Sequence, residues 1–171
     1  GFQTNVAPGP LFGRKMGDEK KRSVRVTSVG ELSESIENVT IFAYDEKKTN
    51  GRGTVLQAVN LNKPRISKVP GILDALERAK GRSVYDVESD VRGHDNVSTV
   101  SITNTTTADL NDALTLKGIL SYRDVNYSMT GDLDATAFDI TNLYNQKAEL
   151  EHYSAELQLQ GESFGGNLKW V

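Results

Sequence analysis

The sequence predicts a mainly β fold, a β-sandwich or barrel-like body, with one short α-helix at about 70–80 and an extended N-terminal arm. Three observations carry this. After residue 23, apolar and polar residues alternate with a period near two along most of the chain. The alternating runs are rich in Val, Ile, Thr, Tyr and Phe and are separated by Gly, Asn and Asp. Only one stretch, VPGILDALERAKG, has clear helical spacing. At 171 residues the chain is long enough for a real core. The expected organisation is an arm at 1–22 and a single β-rich domain at 23–171.

The arm, GFQTNVAPGPLFGRKMGDEKKR, contains Pro8 and Pro10, which fix φ and lack an N–H, and Gly9, Gly13 and Gly17, which add freedom. Phe2, Val6, Leu11 and Phe12 are spaced as separate anchors, followed by Arg14 and Lys15. Such a segment gains order by lying in a groove, of its own domain or of another copy. Next, SVRVTSV (23–29) and NVTIFAY (38–44) read as strands, with a short helix also possible across 31–37. DEKKTNGRG then supplies turn residues, and TVLQAVNL (54–61) is expected to return as the second strand of a long hairpin.

In the helical stretch, Pro70 suits a first turn, and Ile72, Leu73, Leu76 and Ala79 form one apolar stripe. Arg78 and Lys80 complement the carboxyl end, and Gly81 fits the cap. Beyond it, SVYDVES, VSTVSITNT, ALTLKGILSYRDVNYSMTG, ATAFDITNLYN and KAELEHYSAELQLQG are expected as strands. For 146–159 a helix competes, because Glu, Leu, Lys, Gln and Ala are good helix formers. The apolar face switches from Leu150 to Tyr153, which suggests a bulge or bend there. SFGGN reads as a hairpin turn that lets LKWV pair last and bury Trp170.

Composition narrows the function. There is no cysteine, which removes disulfides and thiolate chemistry. No run of about eighteen apolar residues is present to span a membrane, and no leader is expected. The net charge of -3 divides unevenly: residues 1–82 carry 15 Lys/Arg against 9 Asp/Glu, and residues 83–171 carry 5 against 14. Opposite halves can attract within one fold or between neighbouring copies.

No catalytic set emerges. His94, in RGHDN, and His152 have no neighbouring nucleophile in a recognisable motif, so no enzyme activity and no cofactor are expected. DVESD places Asp86, Glu88 and Asp90 on one face of a strand, and GDLDATAFD holds Asp132, Asp134 and Asp139. The latter three are the weak candidates for a metal, here Ca²⁺, although the calcium-loop pattern of a central glycine and a terminal glutamate is missing. Arg14, Lys15, Lys20, Lys21, Arg22 and Arg25, with Lys47, Lys48 and Arg52, could contact nucleic-acid phosphates, and Phe42 or Tyr44 could stack bases.

The opening FQTNVAPGPLFG resembles the starts of tailed-phage head cement, or decoration, proteins, in which an aromatic-Gln/Thr-Val stretch is followed by spaced prolines and glycine. The resemblance covers about a dozen residues. It implies an arm that reaches over neighbours, a β-body seated on a shell, and no catalytic groups. The expected function is therefore a non-enzymatic structural protein of a repetitive assembly in a virion, with partners that are copies of itself or a shell or tail protein. Phe2, Val6, Leu11, Phe12, Arg14 and Lys15 are the expected contacts. The alternatives are a β-module that binds nucleic acid or glycan, and a cell-surface filament subunit.

Overall fold

The computed structural model describes residues 1–171. Strand accounts for 56% of the chain and helix for 8%, in a six-stranded antiparallel sheet and a small three-stranded sheet. The large sheet is open and does not close into a barrel. The elements in chain order are β1 (Gln3–Asn5), β2 (Lys15–Met16), β3 (Lys20–Ser33), β4 (Ile36–Lys48), α1 (Pro64–Ser67), α2 (Ile72–Lys80), β5 (Asp86–Val87), β6 (His94–Asn111), β7 (Leu114–Asp132), β8 (Asn142–Ser163) and β9 (Leu168–Trp170). The sheets run β2-β1-β5 and β3-β4-β6-β7-β8-β9.

The chain divides into two compact units, each built from three segments. Unit 1 is residues 1–21, 47–97 and 127–148, and unit 2 is residues 22–46, 98–126 and 149–171.

Unit 1 holds the core. Ala7, Met16, Ile72, Ala75, Val87, Val91, Ala135 and Ile140 are buried in it. β1 lies between β2, antiparallel with Gln3 opposite Met16, and β5, parallel with Thr4 opposite Asp86. The opening residues are thus a small hairpin folded into their own unit, because β1 can satisfy both of its edges there. Gly9 and Gly13 take positive φ in the turn between β1 and β2, where prolines exclude a regular strand.

Asn5 is fully buried, and its side-chain amide replaces a peptide group. Its Nδ2 donates to the Ser89 carbonyl at 2.8 Å, and its Oδ1 accepts from the Ser89 and Ala7 amides. The β1–β5 pairing therefore continues past Val87. Gln3 does the same for Gly53, donating to its carbonyl at 3.2 Å and accepting from its N–H at 2.9 Å.

That bond helps explain why 54–61 forms no strand. β4 already has β3 and β6 as neighbours, so no edge remains for a third partner. The hairpin of β4 is made with β3 instead, through a turn at Glu34–Ser35, and there is no helix at 31–37. α2 begins at Ile72, after an N-cap Gly71 with φ 79°, and buries Ile72 and Ala75. Leu73, placed by its spacing on the apolar stripe, is exposed.

Of the run 83–89 only Asp86–Val87 is strand. Residues 133–141 are a loop, because aspartate side chains bind the amides a strand would need. Asp132 Oδ1 accepts from the Asp134 and Ala135 amides, and Asp134 accepts from the Thr136 and Thr141 amides.

Unit 2 contains most of the six-stranded sheet and almost no interior. Its one buried residue is Gly161, where the Trp170 ring occupies the space a Cβ would need. Trp170 itself is half-buried and donates to Ser163 Oγ at 3.2 Å. Residues 146–159 lie in the long strand β8, where β7 offers a full-length partner. Asn145, near the start of this strand, takes a positive φ. The turn at 164–167 puts Phe164, Gly165 and Gly166 at positive φ, and β9 returns with Gly161 opposite Trp170.

Candidate functional site

Cross-strand side-chain contacts show which residues share a face of the unit 2 sheet. Asn38 and Thr40 of β4 bond to Asn104 and Thr106 of β6. Tyr122 of β7 and Tyr153 of β8 have ring centroids 4.9 Å apart. On the opposite face Ser23 donates to Asp45, and Thr103 meets Ser121. Alternation then assigns Val24, Val26, Phe42, Ile102, Leu120, Tyr153, Leu157 and Leu159 to the first face. All eight are exposed, Leu120 at 60%, Tyr153 at 68% and Leu157 at 74%. Ile102, Leu120, Tyr122, Tyr153 and Ala155 line a groove on this face.

Such a face is unusual for a chain in isolation. A sheet ordinarily buries one apolar face against a second layer, and a contiguous exposed apolar patch marks a contact surface. Periodicity identifies the alternating residues but not their lack of cover, so the sequence alone does not mark this set of positions as a contact surface.

The expected arm contacts are scattered by the hairpin. Phe2 and Phe12 are 65% and 68% exposed, while Val6 and Leu11 are half-buried. Phe2 makes an edge contact with Tyr85, and Lys15 Nζ donates to Thr4 Oγ1. Arg14 turns inward and donates to the Gly93 carbonyl at 3.2 Å. What seats the segment is polar, Gln3 and Asn5, a role that apolar spacing does not reveal.

Arg14, Lys20, Lys48, Arg92, His94 and Asn96 are among the residues that line a cleft in unit 1. Arg14 Nε is buried there without a hydrogen-bond partner. Burial and then Arg92 depress the Arg14 pKa, while Asp18 opposes them. His94 opens β6 rather than lying in a loop, and His152 lies exposed on β8.

The acidic residues are structural in their contacts, and no three of them converge as a metal-holding group. Glu88 is buried against Arg78 and Arg82. Burial pushes its pKa up, but these guanidinium bonds win and hold it below the ordinary value. Asp134 and Asp132 organise the 133–141 loop, and Asp139 accepts from Asn142 at 3.0 Å. Burial, reinforced by Asp134, pushes Asp132 up to about 6, and its Oδ2 has no partner.

A stability profile follows from these two opposite shifts. Folded Asp132 holds its proton more tightly than the unfolded chain, whose ordinary value is about 4. Its contribution is complete below that value and is lost as pH rises through about 6. Glu88 works the other way, stabilising above its unfolded value and ceasing to do so as pH falls through its folded one. The melting temperature of the wild-type chain is therefore expected to fall between pH 4.5 and 7, and Asp132→Asn should flatten that slope. A slope unchanged by the substitution would refute the assignment.

Comparison of the chain with protein-family models, curated proteins and solved structures finds no match.

Proposed function

We propose that this chain is a non-enzymatic structural subunit of a repetitive assembly, a shell or tail component of a virion, that meets its neighbours through the unit 2 sheet. The observation that carries the reading is the uncovered apolar face of that sheet, because all the buried apolar side chains belong to unit 1. A neighbouring subunit would supply the missing layer. The exposed rings of Phe2 and Phe12 offer further contacts, as the likeness of the opening to head decoration proteins suggests.

Removal of residues 1–13 would extract the buried Asn5, so it is no clean test of the arm. Light scattering on the intact chain and on Phe2→Ser with Phe12→Ser avoids this. Self-association at high micromolar concentration, or stoichiometric uptake onto particles from the source, is expected. A monomer with no affinity for such particles refutes the proposal.

A second reading, nucleic-acid binding, is favoured by the basic cleft around Arg14 and Arg92. It requires oligonucleotide affinity that falls steeply with salt and drops in Arg92→Ala with Lys20→Ala. Affinity that ignores both would remove this reading.

A further inference from the structure

The unit 2 sheet has two unpaired edges of opposite charge. β3 is the terminal strand on one side. On the other, β9 covers β8 only at 161–163, which leaves the preceding part of β8 as an edge. Residues 22–33 of β3 are exposed except at Gly30, and residues 149–157 of β8 are exposed throughout. Long bare edges are templates for pairing with another chain.

The β8 edge carries Glu149, Glu151 and Glu156 and no Lys or Arg between 149 and 160, whereas β3 presents Arg22 and Arg25. None of Arg22, Arg25, Glu149 and Glu151 forms an ion pair within the chain. Pairing β8 with β8 in a second copy would set carboxylates against one another. The complement of β8 is β3.

The register of the sheet makes this pairing specific. Side-chain contacts Ser23–Asp45, Asn104–Thr40, Thr103–Ser121 and Tyr122–Tyr153 step across the sheet from β3 to β8. Backbone bonds from Asp109 N to Ser35 O and from Glu162 N to Ala113 O keep the same register. These steps put Ser23 and Leu150 at roughly the same height, to within about a residue or two. In the antiparallel sheet β3 and β8 also point the same way.

We infer that β8 of one copy pairs in parallel with β3 of the next, so that copies join head to tail into one continuous sheet, as a closed ring or an open filament. Arg22 then faces Glu149 and flanks Glu151, and Val26 lies beside Tyr153, extending the apolar face across the junction. The inference rests on the assembly reading above and adds, to the contact made by the apolar face, an edge contact whose partner is a second copy.

Because the chain has no cysteine, the junction can be tested by cross-linking. Arg22→Cys combined with Glu149→Cys should give, on oxidation, a ladder of covalent oligomers. Each single variant should give none, and a mixture of the two singles should give dimers alone. Independently, Arg22→Glu should weaken self-association about tenfold or more, and adding Glu149→Arg and Glu151→Arg should restore it. Dimers from Arg22→Cys alone, or no ladder from the double-cysteine variant when the wild-type chain does self-associate, would overturn edge pairing and leave the assembly reading intact. A wild-type chain that stays monomeric would overturn edge pairing, and one that also has no affinity for particles from the source would overturn the assembly reading.

Discussion

Leu120→Asp combined with Tyr153→Asp is expected to abolish assembly while leaving the isolated chain folded. Both side chains are already exposed in the single chain, so their replacement removes little packing beyond the Tyr122–Tyr153 ring contact. Surface changes of this kind alter stability by about half a kcal/mol. In an assembly both positions would be desolvated. Losing each apolar side chain then forfeits about 1.5–3 kcal/mol, and burying an unpaired carboxylate adds a further penalty.

Together these give a loss of about 4 kcal/mol or more, on the order of a thousandfold in association. Light scattering reads the association and circular dichroism reads the fold. Leu120→Ser, a milder change on the same face, should show a smaller loss in the same direction. If both variants assembled like the wild type, the apolar face would not be the contact surface.

The second large effect belongs to Asn5→Ala. The residue is fully buried, and its amide satisfies the Ser89 carbonyl, the Ser89 N–H and the Ala7 N–H. Alanine leaves all three backbone groups without a partner in a dry interior, at about 1–3 kcal/mol each when nothing relaxes. A net loss of about 3–5 kcal/mol is expected, with a fall in melting temperature of about 10 °C for a chain of this size.

Asn5→Asp should be only partly better. It keeps the acceptor for the two amides but sets a carboxylate oxygen against the Ser89 carbonyl. A thermal melt measures both, and a shift of under about 2 °C for Asn5→Ala would mean that β1 contributes little to unit 1.

Both sites show how far local sequence reaches. Strands at 23–29, 38–44, 97–105, 113–131 and 147–161 follow from alternation, the helix from its spacing and Gly81, and the last hairpin from Gly165 and Gly166. Where the reading departs from the fold, a tertiary partner has intervened. TVLQAVNL alternates well but meets no free edge, and ATAFDITN loses its amides to Asp132 and Asp134. The opening residues look free by their prolines and glycines, yet Gln3 and Asn5 seat them, because a buried amide can continue a β-ladder where no apolar anchor signals it.

Sequence alone thus determined that the chain is β-rich, cysteine-free, divided in charge and without a recognisable catalytic set. It specified most strands because the pleat forces a period of two on side chains that differ in affinity for water. Only the tertiary structure decided which alternating face stays bare, which strands become edges, and that Arg22 and Glu149 stand at matching heights on opposite edges. Burial and pairing depend on what lies across from a residue, and that neighbour comes from a distant part of the chain.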